Sequence, residues 1–143
     1  MWSKSFSKRI KGLNADQIWN VWIDVNQWDK WQDDIEYAKL EAEFKPGNTF
    51  LLKPKGGPKV KIEILRVEEN INFTDLTRFP LTTMTGSHDF IQRGDELEIK
   101  TTMTVKGPLS FVWRKIVAEG IVNGLADQTE KLLERSRLLS LKS

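Results

Sequence analysis

The chain has no cysteine, which excludes disulfides, a thiolate nucleophile and cysteine-held zinc or iron–sulfur centres. Histidine occurs once, as His88, so a metal would have to rely on carboxylates. The adjacent pairs Asp33-Asp34 and Glu68-Glu69 do not help, because neighbours in a strand point to opposite faces. Neither a metal centre nor a cofactor is expected. Net charge is only +2, too small to make nucleic acid a partner. The one basic cluster, Lys53-Pro54-Lys55-Gly56-Gly57-Pro58-Lys59-Val60-Lys61, has no interleaved aromatic and reads as a solvated hairpin turn. There is no Gly-x-Ser-x-Gly elbow to support a Ser-His-Asp hydrolase. Long apolar runs are missing too, and Met1-Trp2-Ser3-Lys4 lacks an apolar signal core. No integral membrane segment is expected, and the default location is the cytoplasm. Tyrosine is scarce, a single residue, whereas tryptophan occurs six times, with Trp19, Trp22, Trp28 and Trp31 close together.

What is present orders itself along one expected domain, residues 1–143. Trp2, Phe6 and Ile10 occupy alternate positions of a polar segment, as in a half-buried strand. Asn14 then caps a short helix, with Gln17 as its reciprocal partner. A second short turn carries Trp28 and Trp31. From Ile35 the pattern becomes strands, at 35–43, 48–54, 58–68, 71–79, 82–92 and 95–105, separated by Gly, Pro, Asn and Asp turns. In the last of these Leu97, Ile99, Thr101, Met103 and Val105 alternate with polar residues, so the sheet has one buried and one wet face and is antiparallel. Gly107-Pro108 opens a helix predicted to run to Leu139, with Trp113, Ile116, Val117, Ile121, Leu125, Leu132 and Leu139 on one face. At 1.5 Å per residue such a helix spans roughly 45 Å, enough to lie along the whole sheet. Gly120 and Gly124 fall on its apolar face, although each costs on the order of 1 kcal/mol relative to Ala. The spacing predicts either a pocket beneath this helix or a close backbone approach to Trp22 or the sheet.

The fold class is therefore α+β: a curved antiparallel sheet of six to seven strands around a long C-terminal helix, with two short helices after the first strand. Ala15-Asp16-Gln17-Ile18-Trp19, Asp24-Val25, Trp28-Asp29-Lys30-Trp31, Pro46-Gly47-Asn48-Thr49-Phe50, His88-Asp89-Phe90 and Gly107-Pro108-Leu109, in this order over nearly the whole chain, carry a resemblance. The sequence resembles the START-like, helix-grip (SRPBCC) superfamily, in its polyketide cyclase/dehydrase branch. That resemblance implies a cavity for a lipid, polyketide, sterol or similar apolar ligand and brings no shared catalytic set. It departs at Asp29, where many relatives have Pro.

The expected partner is an apolar small molecule, bound or transported between sheet and helix. Trp22, Trp28, Trp31, Phe50, Phe73, Phe79, Met84, His88, Phe90 and Met103 are the candidate wall on the sheet side, with Trp31 nearer the opening. Trp113, Val117, Gly120, Ile121 and Gly124 are the candidates on the helix. Each admits a plain core reading as well. His88 shares a strand face with Met84, Gly86 and Phe90, and an inward histidine can contact a polar ligand atom or act as acid or base. It is the candidate catalytic residue for the alternative reading, a cyclase/dehydrase-type enzyme. A protein-interaction domain is the third reading.

Overall fold

The structure, a computed structural model, describes residues 1–142. The first strand is β1 (Trp2–Ile10), and Ile10 at its end is buried. Helix α1 (Ala15–Ile23) starts where Gln17 Oε1 accepts the backbone N–H of Asn14 at 2.7 Å. Its inner face, Ile18, Trp19, Val21 and Trp22, is buried. A 3₁₀ helix, Val25–Lys30, follows directly. Six strands come next: β2 (Ile35–Lys39), β3 (Thr49–Pro54), β4 (Val60–Glu68), β5 (Asn72–Phe79), β6 (Thr82–Arg93) and β7 (Glu96–Lys106).

All seven strands form one open, curved sheet in the order β1-β7-β6-β5-β4-β3-β2, every neighbouring pair antiparallel. The N-terminal strand thus returns to pair with the last one, from Trp2 opposite Val105 to Ile10 opposite Leu97. The side chains of β6 alternate without interruption, Thr82, Met84, Gly86, His88 and Phe90 facing inward and buried. On the outer face Ser3 meets Thr104 and Ser5 meets Thr102 through their hydroxyls, as expected of a wet face. Gly107, at φ +127°, ends the sheet against the β5–β6 turn. A Cβ there would lie 2.3 Å from the Leu81 carbonyl oxygen, so only glycine fits.

The C-terminal helix is broken, which corrects the prediction of one continuous element. It comprises α2 (Ser110–Trp113), a π-helical segment (Arg114–Ala118), α3 (Glu119–Asn123) and α4 (Leu125–Lys142). The wider π turn shifts the register of everything before it, and Gly124, at φ −92° and ψ −4°, leaves α geometry. Of the predicted apolar row, Leu125 and Leu132 are buried, while Ile116 is 66% exposed and Ile121 and Leu139 are also exposed. The inserted residue accounts for Ile116, inside the π segment; Leu139 drifts off the buried stripe because seven-residue steps from Leu125 and Leu132 do not match a 3.6-residue turn.

Buried side chains form two clusters. The larger one packs α1, the 3₁₀ helix and α4 against the sheet around Ile18, Trp19, Trp22, Trp28, Phe73 and Leu132. The smaller one gathers Met84, Met103, Val105 and Ala118, with Phe79 and Val117 against it.

Candidate functional site

Between these clusters lies a partly open cavity of about 590 Å³. Its wall takes Trp22 and Trp28 from the larger cluster and Phe79, Met84, Met103 and Val117 from the smaller. Strands β2 to β4 add Ile35, Leu52, Val60 and Ile62, and the broken helix adds Trp113, Ile116, Gly120, Ile121, Gly124 and Leu125. The two glycines have a visible consequence here. A Cβ built on Gly120 meets nothing within 4 Å, and one on Gly124 meets only carbonyl oxygens of its own helix at 3.6 Å. Close approach to Trp22 or the sheet is therefore not why glycine stands there. The glycines leave space.

Aromatic geometry explains which candidates reach the wall. Trp113 stacks on Phe79 with centroids 4.6 Å apart and donates its indole N–H to the Pro80 carbonyl at 3.2 Å. That contact holds the start of the broken helix against the end of β5. Trp28 donates its indole N–H to the Trp22 backbone carbonyl at 3.0 Å, which orients its ring edge-on to that of Trp22. Trp31, Phe50, Phe73 and Phe90, in contrast, do not line the cavity. Trp19 lies edge-on to Phe73 and Phe90, Trp28 to Phe50, so the rings of α1 and the 3₁₀ helix fill the space over that end of the sheet. Trp31 is not near the opening either. In a 3₁₀ helix residues i and i+3 eclipse, so Val25, Trp28 and Trp31 share a side and all three are buried.

The polar groups on the wall fall in two places, on the neighbouring strands β5 to β7 and at the end formed by Gln32, Asp34 and Gln128. His88 on β6 is opposite Phe73 on β5 and Thr101 on β7. Its ring stacks on Phe73 at 4.1 Å between centroids and lies 4.8 Å from Trp22. Nε2 sits 3.4 Å from Oδ2 of Asp75, and Nδ1 sits 3.4 Å from Oγ1 of Thr101. Asp75, a carboxylate, accepts from Nε2, and the Thr101 hydroxyl can donate to or accept from Nδ1. Gly86, across from Asp75, makes this possible: a Cβ there would stand 3.0 Å from Oδ1 of Asp75. At the other end Gln128 of α4 donates to Oε1 of Gln32 at 3.1 Å, and Lys131 bridges Asp33 and Asp127 at 2.6 and 2.9 Å. Hydrogen bonding to those two carboxylates holds the Lys131 ammonium well above its usual range, and the same contact lowers Asp33. These contacts tie α4 to the segment after the 3₁₀ helix.

Several wall residues escaped the sequence reading, Asp75, Thr77, Thr101, Gln32 and Asp34 among them. For Asp75 and Thr77 a signal existed. Phe73 and Phe79 set the inward phase of β5, and counting by two places both polar residues on the same face. Gln32 and Asp34 precede β2 in irregular backbone, where no period applies. Among the described residues no three His, Asp or Glu side chains come together as metal ligands. No described helix is long and apolar enough to cross a membrane.

A seven-stranded antiparallel sheet gripping a C-terminal helix, with short helices after its first strand, is the START-like helix-grip fold. Solved structures agree. A START superfamily protein from Mycobacterium smegmatis is 16% identical, with a TM-score of 0.70 over 93% of this chain and 97% of its own. Norcoclaurine synthase from Thalictrum flavum is 16% identical, with a TM-score of 0.69 over 99% and 89%. A hypothetical protein from Helicobacter pylori is 16% identical, with a TM-score of 0.75 over 94% and 87%. No protein-family profile matches the chain, and no curated protein does. The likeness is one of fold.

Proposed function

We infer that the protein binds, and in that sense carries, a hydrophobic small molecule in the cavity between the sheet and its C-terminal helix. One observation carries this reading: about 590 Å³ of space bounded mainly by apolar and aromatic side chains, with two glycines on the helix side. Ligand pockets span roughly 300–1,000 Å³ and combine such walls with a few polar groups. The norcoclaurine synthase that shares the fold was solved in complex with dopamine and hydroxybenzaldehyde, two small molecules. Native mass spectrometry of the protein purified from its source tests the reading. A co-purifying small molecule, released by denaturation, is expected; a bare mass under conditions that preserve apolar ligands in a control protein would count against it.

A second reading rests on His88. Its side chain is 10% exposed, lines the cavity and lies between Asp75 and Thr101, the arrangement an acid–base group needs. In this reading the protein is an enzyme of cyclase/dehydrase type, with the same occupant as substrate.

A further inference from the structure

We propose that the occupant of the cavity is a hydrophobic amine, its ammonium group seated on the carboxylate of Asp75. This rests on the cavity being the binding site. The charge inventory comes first. Among the residues that form the wall, Asp34 and Asp75 carry the only fixed formal charges, and none is Lys or Arg. Of the cations on the helices closing the cavity, Lys131 pairs with Asp33 and Asp127 and Arg114 with Glu119 at 3.3 Å, while Lys115 is exposed and is not part of the wall. Asp34 is exposed, where water and salt screen it. Asp75 is not: its side chain is 19% exposed, on the sheet side of an apolar space.

Asp75 is also underused. A carboxylate accepts about four hydrogen bonds. Within the described residues its only hydrogen-bond donor is His88 Nε2, at a long 3.4 Å. That one long contact leaves the Asp75 carboxylate with several empty acceptor positions facing the cavity. A half-buried carboxylate with so few donors is poorly compensated for the water it loses, and glycine at 86 leaves room beside it. A ligand ammonium supplies both the missing charge and the missing donors. Trp22, Trp28, Phe79 and Trp113 border the same cavity, and aromatic rings attract a cation, while a carboxylate ligand meets like charge and no Lys or Arg on the wall.

Three probes with one skeleton test this: 2-naphthylmethylamine, protonated at neutral pH, 2-ethylnaphthalene, and 2-naphthoate. Their dissociation constants are measured by calorimetry on the full chain. The amine is expected to bind about ten-fold tighter than the hydrocarbon, and the carboxylate weakest of the three. In Asp75→Asn, which keeps shape and the His88 contact, the amine falls to within three-fold of the hydrocarbon measured on the same variant. Hydrocarbon binding as tight as the amine's in the unaltered protein, or an amine preference that persists in Asp75→Asn, overturns the proposal while leaving the cavity as a binding site. Absence of binding by both the amine and the hydrocarbon overturns the cavity reading and this proposal together. The ranking on the unaltered chain decides the matter even if Asp75→Asn folds poorly.

Discussion

At the residue scale the centre of the site is His88, placed by strand period and confined by four neighbours, two aromatic and two polar. Phe73 beneath it and Trp22 beside it are rigid apolar surfaces; Asp75 and Thr101 address its two nitrogens. Alternation along β6 was enough to put His88 inside, because Met84 and Phe90 share its phase. Its partners were harder to read, since cross-strand neighbours depend on register, which sequence specifies only through turns and burial. Trp31 shows another limit: its spacing from Trp28 in a short turn does not say which side is covered, and the 3₁₀ geometry puts Val25, Trp28 and Trp31 on one buried side. The enzyme reading has a direct check at this scale. If His88 moves protons, His88→Gln should abolish turnover of the co-purified molecule while its affinity stays within a few-fold. Affinity lost with turnover, or turnover retained, removes His88 as an acid–base group.

At the scale of elements, the sheet was legible almost strand by strand because alternating burial and turn residues mark its boundaries. The C-terminal helix was legible as an element, though not in its phase. The π segment at Arg114–Ala118, which lies against β7, and the break at Gly124 belong to tertiary packing, and no local pattern announces them. The β6–β7 hairpin carries a testable electrostatic contact. Glu98 is 8% exposed and accepts from Arg93 Nε at 2.5 Å, with Arg9 at 3.6 Å. The Arg93 hydrogen bond, helped by the charges of Arg93, Arg9 and Lys100, holds the Glu98 carboxyl below the usual range against the opposing effect of burial. A depressed folded-state value stabilises the protein above the unfolded pKa of about 4.3, and this stabilisation is lost as pH falls through the folded value. Glu98→Gln is therefore expected to lower the urea midpoint at pH 7 by more than at pH 3. An equal deficit at both pH values would mean the contact acts by shape alone.

For the whole molecule, the question is why one sheet supports two separate clusters instead of one continuous core. The larger cluster has α1 and the tryptophans of the 3₁₀ helix to fill it, so Phe50, Phe73 and Phe90 are spent on packing. The smaller one has only the thin, broken start of the C-terminal helix over it, with Gly120 and Gly124 where side chains would otherwise reach across. The space between is a product of that uneven covering. Sequence pointed to it through the two glycines, because an interior helix position that forgoes a side chain costs on the order of 1 kcal/mol and needs a compensating reason.

The most direct measurement of this account is a titration with the neutral fluorophore N-phenyl-1-naphthylamine, comparing the unaltered protein with a Gly120→Leu/Gly124→Leu double variant. The unaltered protein is expected to enhance the dye's emission with one dye per chain. The variant, having lost two poor helix formers and gained bulk where nothing close stands in the way, is expected to melt no lower and to bind at least about ten-fold more weakly. A variant that binds the dye as well as the unaltered protein, or an unaltered protein that does not bind it, would contradict the claim that the cavity is a ligand site.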